Sequence, residues 1–101
     1  MSEQVLSLWK GPIRTPRDTV REILQRCADN HGVTTADIVG DRRFRPIVHA
    51  RQEAMYRLRD LRAFDGAYRF SLPRIGQLLG GRDHTTVLHG VRAHEQRKDR
   101  L

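Results

Sequence analysis

The sequence predicts a small all-α domain that contains a helix-turn-helix. The chain has 101 residues, which suits a single domain of about three to five short helices around one modest core. Its apolar residues recur at helical spacing, and glycine and proline divide them into short segments. Two of these segments are separated only by a turn that holds Gly80-Gly81, and this arrangement predicts the corner of a helix-turn-helix.

Three parts are expected along the chain. Residues 1–14 mix apolar side chains with a Gly11-Pro12 break and are expected to form a loosely ordered arm. Residues 15–95 are expected to form the folded domain, and residues 96–101 a charged tail. The division follows from where the helical periodicity begins and ends.

The first helix is expected to begin with Thr15 as its N-cap and Pro16 at its first position, and to end at Gly32. Cys27 is the single cysteine of the chain. An intrachain disulfide or a cysteine-based zinc site is therefore excluded, and a buried, inert thiol is expected. The helix has one apolar face, which consists of Val20, Ile23, Leu24 and Cys27.

A short helix, a basic loop and a long helix follow. Thr35 is expected to cap a single turn of helix that Gly40 closes. Residues 41–46 are predicted to be a basic loop, because a proline disfavours helix at the residue before it and neighbouring arginines repel one another. Pro46 then starts a helix to about Arg62, the expected spine of the domain. Its apolar stripe is Ile47, Ala50, Ala54, Met55, Leu58 and Leu61, with Arg51, Arg57, Arg59 and Arg62 on the polar side.

A connector over residues 62–70 leads to the helix-turn-helix itself. Ser71 is expected to cap the first of its helices, which ends at Gly80-Gly81. Asp83 is expected to cap the second, with its carboxylate accepting from a backbone amide of the first turn. In such a motif the first helix braces the second, which enters the major groove of DNA.

The charge of the chain favours a polyanionic partner. The formal net charge is +7, and nearly all of the positive charge is arginine, since the only lysines are Lys10 and Lys98. The planar guanidinium suits phosphate oxygens and guanine edges, so nucleic acid is the simplest partner. A membrane partner is not expected, because no apolar run approaches the ~20 residues that cross a bilayer. No signal peptide precedes the domain, so a cytoplasmic, nucleoid-associated location is expected.

Two stretches of the helix-turn-helix carry a family resemblance. They are SLPRIG at 71–76 and GGRDHTTVLH at 80–89. Both closely resemble the C-terminal DNA-binding domain, domain IV, of the bacterial replication initiator DnaA. Upstream, RRFR at 42–45 and ARQEAM at 50–55 resemble the family's basic loop and the start of its long helix, so the similarity covers roughly residues 19–94. The resemblance implies a Trp-repressor-like architecture of helices.

The resemblance also implies which residues contact bases. In the major groove these are Asp83, His84 and Thr85 at the start of the recognition helix. Leu72 and Pro73 are implied to touch thymine methyl groups, and Arg43 to enter the adjacent minor groove. The chemistry is suitable, because a carboxylate accepts from a cytosine amino group and an imidazole donates to a purine or thymine acceptor.

A second implied set contacts the DNA backbone: Arg45, Gln52, Arg59, Arg82, Thr86, Val87 through its amide, and His89. Arg51 also matches a basic position of the motif, but the resemblance leaves its role open. The chain departs from the family in a longer connector, in Gly90 where alanine is usual, and in Ala93 where a backbone-contacting lysine is common. The last two are expected to weaken affinity without changing the sequence that is read.

Several chemical functions are excluded. Neither Lys10 nor Lys98 follows the glycine pattern of a phosphate loop, so the initiator's ATPase is not expected in this chain, nor is a nucleotide or other cofactor. The spacing of His84, His89 and His94 scatters them around a helix, so no metal site is expected. A hydrolase triad of Ser71, His84 and Asp83 is not expected either, because the sequence contains no nucleophile elbow. The protein is therefore not expected to be an enzyme, and its arm and long connector favour a stand-alone relative, chromosomal or phage-borne.

The expected function is sequence-specific binding of double-stranded DNA at DnaA-box-like sites, in control of replication initiation or transcription. Single-stranded DNA is not expected, because the aromatic residues Tyr56, Phe64, Tyr68 and Phe70 are better explained by core and connector packing than by base stacking. The alternative is a protein-interaction regulator that engages a replication initiator or its regulatory partner, with DNA binding secondary. Its docking surface would be the arm around Trp9 or the connector over 64–70.

Overall fold

A computed structural model describes residues 16–63 and 65–99. Within those ranges the fold is all-α, as predicted. The arm expected over residues 1–14, the Thr15 cap and the end of the tail lie outside the described residues. The helices of the described part are α1 (Pro16–His31), α2 (Thr35–Val39), α3 (Arg45–Asp60), α4 (Leu72–Leu78) and α5 (His84–Asp99).

The cap of α2 lies one residue earlier than predicted. Thr34, and not Thr35, is the N-cap, and its hydroxyl accepts from the amide of Asp37 at 3.0 Å. The carboxylate of Asp37 in turn accepts from the amide of Thr34 at 3.2 Å. This reciprocal pair is a capping box, which needs an acidic residue three positions after the cap. Asp37 therefore selects the first of the two consecutive threonines.

The long helix α3 both begins and ends earlier than predicted. It begins at Arg45, because Pro46 occupies the first turn, where its missing N–H costs no intrahelical hydrogen bond. It ends at Asp60, since Leu61 is extended with φ −65° and ψ 133°. Arg62 lies outside the helix, in an antiparallel bridge with Tyr68 of the connector.

The two helices of the helix-turn-helix are capped as predicted. The Ser71 hydroxyl accepts from the amide of Arg74 at 3.2 Å and starts α4. The turn after α4 has positive φ at Gly80 (+89°) and Gly81 (+85°), a conformation that side chains with a Cβ rarely adopt. The Asp83 carboxylate accepts from the amide of Thr85 at 2.9 Å, which fixes the start of α5.

The helix α3 forms the spine of the domain, as predicted, and packs against all four other helices. The largest fully buried side chains come from every helix: Cys27, Ile38, Met55, Leu58, Ile75, Leu79 and Val87. Among the helices of the described ranges, none has both the length and the apolar character to span a bilayer. Because α4 and α5 share this core with α3, the recognition helix is held by the centre of the domain.

A buried carboxylate joins α1 to α3. Glu53 accepts from Arg57 Nε at 2.6 Å and Asn30 Nδ2 at 3.1 Å, and its other oxygen lies 2.8 Å from His31 Nε2. Burial acts to raise the pKa of Glu53, but these hydrogen bonds outweigh it and the pKa is lowered. Cys27 is fully buried, and burial followed by the nearby Glu53 charge raises its pKa to about 12. The expected inert thiol follows, since the reactive thiolate is suppressed.

The end of α5 differs from the sequence expectation. The helix continues to Asp99, into the segment expected to be a charged tail. Lys98 Nζ donates to the Tyr56 hydroxyl at 3.0 Å, and the ammonium lies 5.1 Å from the centre of the Tyr56 ring. His94 packs on the same ring, with the two ring centres 4.9 Å apart. These contacts with α3 stabilise the last turns of α5.

Candidate nucleic-acid interface

The first turn of α5 presents a group of exposed polar side chains. Thr85, Thr86 and His89 are exposed, and the side chains of Asp83 and His84 are 64% and 60% exposed. Burial of Val87 against α3 and α4 holds this turn in place while its polar side faces outward. The start of the recognition helix therefore has the exposure that base recognition requires.

The two carboxylate oxygens of Asp83 make different contacts. Its Oδ2 accepts from the amide of Thr85 at 2.9 Å, while Oδ1 lies 3.5 Å from Nδ1 of His84. The backbone amide and then the hydroxyl of Thr85 lower the pKa of Asp83, so the carboxylate is ionised at neutral pH. One oxygen caps the helix, and the other lies beside His84 on an exposed side chain.

An open groove of about 730 Å³ runs between the basic loop, α3 and the start of α5. Its walls include one implied minor-groove residue, one implied base-contacting residue and four implied phosphate-contacting residues. These are Arg43, Asp83, Gln52, Arg82, Thr86 and His89. Residues that are up to 46 positions apart in the chain, Arg43 and His89, thus line one surface.

The other implied residues lie beside this groove. Pro73 is exposed and Leu72 half-buried in the first turn of α4. Leu72 lines a second groove together with Arg59 and with Leu88 of α5. Arg45 is exposed at the start of α3. The amide of Val87 donates to the carbonyl of Asp83 at 3.1 Å, so a phosphate at this amide would have to share its proton.

Arg51 is buried, although the sequence pattern places it on the polar side of α3 and leaves its role open. Its side chain is 7% exposed, and Nε donates to the carbonyl of Ile38 at 2.7 Å. Its Nη2 lies 3.0 Å from each of three further carbonyl oxygens, those of Asp37, Gly40 and Arg42. The guanidinium holds the end of α2 and the basic loop against α3, a structural role that the sequence motif did not assign.

Arg82 joins the same region to the turn of the helix-turn-helix. Its guanidinium donates to the carbonyls of Gly40 and Leu79, and to that of Val39 at 3.5 Å. The carbonyl of Gly40 therefore accepts from both Arg51 and Arg82. Burial, followed by the neighbouring charge of Arg82, lowers the pKa of Arg51. Arg82 thus has an internal role in addition to the implied phosphate contact.

Two departures from the family motif have structural explanations. At Gly90 an added Cβ would lie 2.2 Å from Sδ of Met55, so the methionine of α3 occupies the space that an alanine would need. Ala93, one turn further on, lines the same groove as Arg43 and Thr86. Gly90 is therefore a packing residue, whereas Ala93 leaves a wall of the groove without a charge.

Comparison with known proteins identifies the family of this chain. The model of the family described as bacterial dnaA protein helix-turn-helix matches residues 20–93. The chain belongs to this DnaA family. The match spans α2, α3 and α4 with most of α1 and α5, and therefore includes every residue of the candidate interface. Helix-turn-helix domains are DNA-binding modules rather than catalytic ones.

The similar proteins are chromosomal replication initiator proteins DnaA. The protein from Cereibacter sphaeroides is 41% identical over 78 residues, which are 77% of this chain and 16% of the relative. That from Ruegeria pomeroyi is 42% identical over 80 residues, 79% of this chain and 16% of the relative. That from Ralstonia nicotianae is 45% identical over 83 residues, 80% of this chain and 15% of the relative. The chain thus spans about a sixth of the length of these DnaA proteins.

Proposed function

We propose that this protein binds double-stranded DNA at DnaA-box-like sites and thereby acts in control of replication initiation or transcription, with no ATPase of its own. The observation that carries the proposal is the groove of about 730 Å³. Six residues that the DnaA resemblance assigns to DNA contacts line it, although they come from three separate segments. Membership of the DnaA helix-turn-helix family supports the same partner.

In the proposed complex the first turn of α5 lies in the major groove. Oδ1 of Asp83, the oxygen that does not cap the helix, accepts from a cytosine amino group, His84 donates to a base acceptor, and the Thr85 methyl lies against a thymine methyl. Leu72 and Pro73, in the first turn of α4, contact further thymine methyl groups. The two helix starts are exposed, which supports this arrangement.

Backbone contacts would fix the position of α5 in the groove. Thr86, His89 and Arg45 are exposed and free to reach phosphates. The N-terminus of this 16-residue helix adds its positive dipole, which favours a phosphate. Such contacts position the protein without carrying sequence information.

Arg43 would read the flank of the site. It is exposed on the basic loop and lines the groove beside Asp83. An arginine inserted in a minor groove senses the strong negative potential of narrow, A·T-rich sequence. The proposed site therefore consists of a core read by α5 and an A·T-rich flank sensed by Arg43.

A titration tests the proposal with a DnaA-box duplex and a scrambled duplex, each at two salt concentrations. We expect tighter binding to the DnaA box, and a steep loss of affinity for both duplexes as salt rises. His84→Ala should weaken binding to the DnaA box by about 1–3 kcal/mol and leave the scrambled duplex unaffected. Arg45→Ala should weaken both alike, since it removes a phosphate contact.

The matched control is Arg26→Ala. Arg26 is an exposed arginine of α1 that lines a different groove with Lys98, near the opposite end of α5 from Asp83. Its removal changes the net charge as Arg45→Ala does, but outside the proposed interface. Equal affinity of the unaltered protein for the DnaA box and the scrambled duplex would overturn the sequence-reading proposal.

A further inference from the structure

The described residues of the connector between α3 and α4, which exclude Phe64, form hydrogen bonds across the loop. Ala63 N–H donates to the Ala67 carbonyl at 2.7 Å, and Arg69 N–H to the Leu61 carbonyl at 3.0 Å. Arg62 and Tyr68 form an antiparallel bridge, and Gly66 lies at the tip with φ +89°. This short hairpin-like loop is the longer connector that distinguishes the chain from the family motif.

Tyr68 is stacked between two arginines. The guanidinium carbon of Arg59 lies 3.6 Å from the centre of the Tyr68 ring, and that of Arg62 lies 3.8 Å from it. Two guanidiniums this close to one ring centre must lie on opposite faces of the ring. The negative faces of the ring offset the repulsion of the two cations. Tyr68 is nevertheless 47% exposed, so it is not a core residue.

At 3.6 and 3.8 Å from the ring centre, both guanidiniums are at stacking distance. A guanidinium that lies flat on a ring keeps its N–H donors in its own plane, directed away from the ring centre. Arg59 uses one of them on the carbonyl of Phe70 at 3.1 Å. The remaining donors suit an oxyanion with several acceptors, such as a phosphate. Arg62 and Arg69 are both exposed on the same loop.

The position of the stack connects it to the candidate interface. Arg59, Arg62 and Tyr68 line one groove of about 330 Å³ with Leu72, an implied thymine contact, and with Leu88 of α5. Arg92 lines this groove as well, as do two carboxylates, Asp60 and Glu95. The connector ends at Ser71, the cap of α4. The stacked arginines therefore lie immediately beside the helix start that the proposed function places on DNA.

We propose that the connector is a second DNA-contacting element, in which Tyr68 positions Arg59 and Arg62 to bind phosphates just outside the sequence read by the helix-turn-helix. The inference rests on the proposed function for the placement of α4 on DNA. Tyr68 acts as a positioning residue, since its ring holds both guanidiniums and itself contacts no phosphate. Arg62, unlike Arg59, has no counterpart among the implied contacts of the family.

The test compares two duplexes with the same DnaA box. One ends at the box, and the other extends roughly half a helical turn, about 5 base pairs, beyond each end. Arg62→Ala should weaken binding to the extended duplex severalfold and leave the short duplex nearly unchanged. Tyr68→Ala should weaken the extended duplex by a larger factor than the short one, since it also releases Arg59, an implied contact within the box. The slope of log affinity against log salt should fall by about 0.9 for each phosphate that the variant no longer neutralises.

Tyr68→Phe is the matched variant, because it keeps the ring faces and removes only the hydroxyl; we expect it to bind both duplexes as the unaltered protein does. Arg26→Ala controls for the change in net charge, and a thermal melt of each variant confirms the fold. If Arg62→Ala and Tyr68→Ala bind both duplexes with unchanged affinity and salt slope, the inference is wrong. The connector would then be free for a protein partner.

Failure of the inference and failure of the proposed function give different results. If the unaltered protein prefers the DnaA box but the connector variants change nothing, only the inference fails. A second result is that the unaltered protein does not prefer the DnaA box, while the connector variants lower affinity and salt slope equally on the box and scrambled extended duplexes. In that case the sequence-reading proposal fails and the connector contact stands. Absence of binding to any duplex would overturn both.

Discussion

The arginines of this domain include exposed side chains and one buried side chain that binds the backbone. Arg43 and Arg45 are exposed on and beside the basic loop, whereas Arg51 is buried and donates to four backbone carbonyls. The sequence locates the basic residues but does not distinguish the exposed side chains from the buried one. The carbonyls that bind Arg51 belong to α2 and the basic loop, and their approach depends on tertiary packing.

Asp83 combines a structural and a proposed recognition role, and two substitutions can separate them. Asp83→Asn keeps a good N-cap, so we expect nearly unchanged stability with altered discrimination between bases. Asp83→Ala removes both, and should lower the free energy of unfolding as well. Urea unfolding and duplex titration of both variants measure the two effects. Equal loss of stability in both would contradict a separable cap.

Gly90 illustrates how a departure from a family motif is compensated in the core. Gly90→Ala forces Sδ of Met55 to shift, and this overpacking, about 1–3 kcal/mol, is reduced by the roughly 1 kcal/mol of helix propensity that alanine gains over glycine. Met55→Ala alone should cost about 2–5 kcal/mol through a cavity. The double variant should lose less than the sum, because the new methyl enters the vacated space. Denaturant unfolding of all four proteins gives the coupling energy, and strict additivity would argue against this contact.

At the scale of elements, local signals predicted several helix ends, whereas the ends of α3 and α5 depend on long-range contacts. Ser71 and Asp83 were identified as caps because each cap bonds to an amide within the next three residues. The early end of α3 could not be read locally, since Arg62 leaves the helix to pair with Tyr68. The groove walls likewise come from distant segments. The family resemblance indicates which residues contact DNA, but it does not indicate that they line one groove.

The turn of the helix-turn-helix offers a matched pair of glycines. Both have positive φ, but a Cβ at Gly80 would lie 2.2 Å from the carbonyl oxygen of Val39, whereas a Cβ at Gly81 meets nothing within 4 Å. Gly81→Ala should therefore cost only the backbone strain, about 1–2 kcal/mol. Gly80→Ala should cost more and should also weaken DNA binding, because it separates α4 from α2. Thermal denaturation with duplex titration compares them; equal effects would contradict the close approach.

At the scale of the whole molecule, stability depends on pH through a histidine of α5. Burial lowers the pKa of His94 from its ordinary value of 6.5 and outweighs the Glu53 charge, which acts to raise it. The charges of Arg97, Arg57 and His31 lower this pKa further. The unfolded chain then takes up a proton first as pH falls. The contribution of neutral His94 to stability is therefore present above pH 6.5 and is lost as pH falls from there toward the folded pKa.

His94→Gln tests this dependence. Glutamine is not protonated, so the variant should lose less stability than the unaltered protein between neutral pH and about pH 5.5. Urea unfolding at the two pH values provides the measurement. His89→Gln, at an exposed position of the same helix, is the matched control. An identical pH dependence in all three proteins would contradict the role of His94.

The shared carbonyl of Gly40 has a consequence for the DNA sites that the protein accepts. Because Arg51 and Arg82 both bind it, the loop that carries Arg43 and the turn before α5 are fastened to one point. In the proposed complex, we therefore expect a fixed distance between the flank that Arg43 contacts and the core that α5 reads. One base pair inserted between them shifts the flank by about 3.4 Å and rotates it around the duplex. Such a site should bind no better than one that has no A·T-rich flank at all.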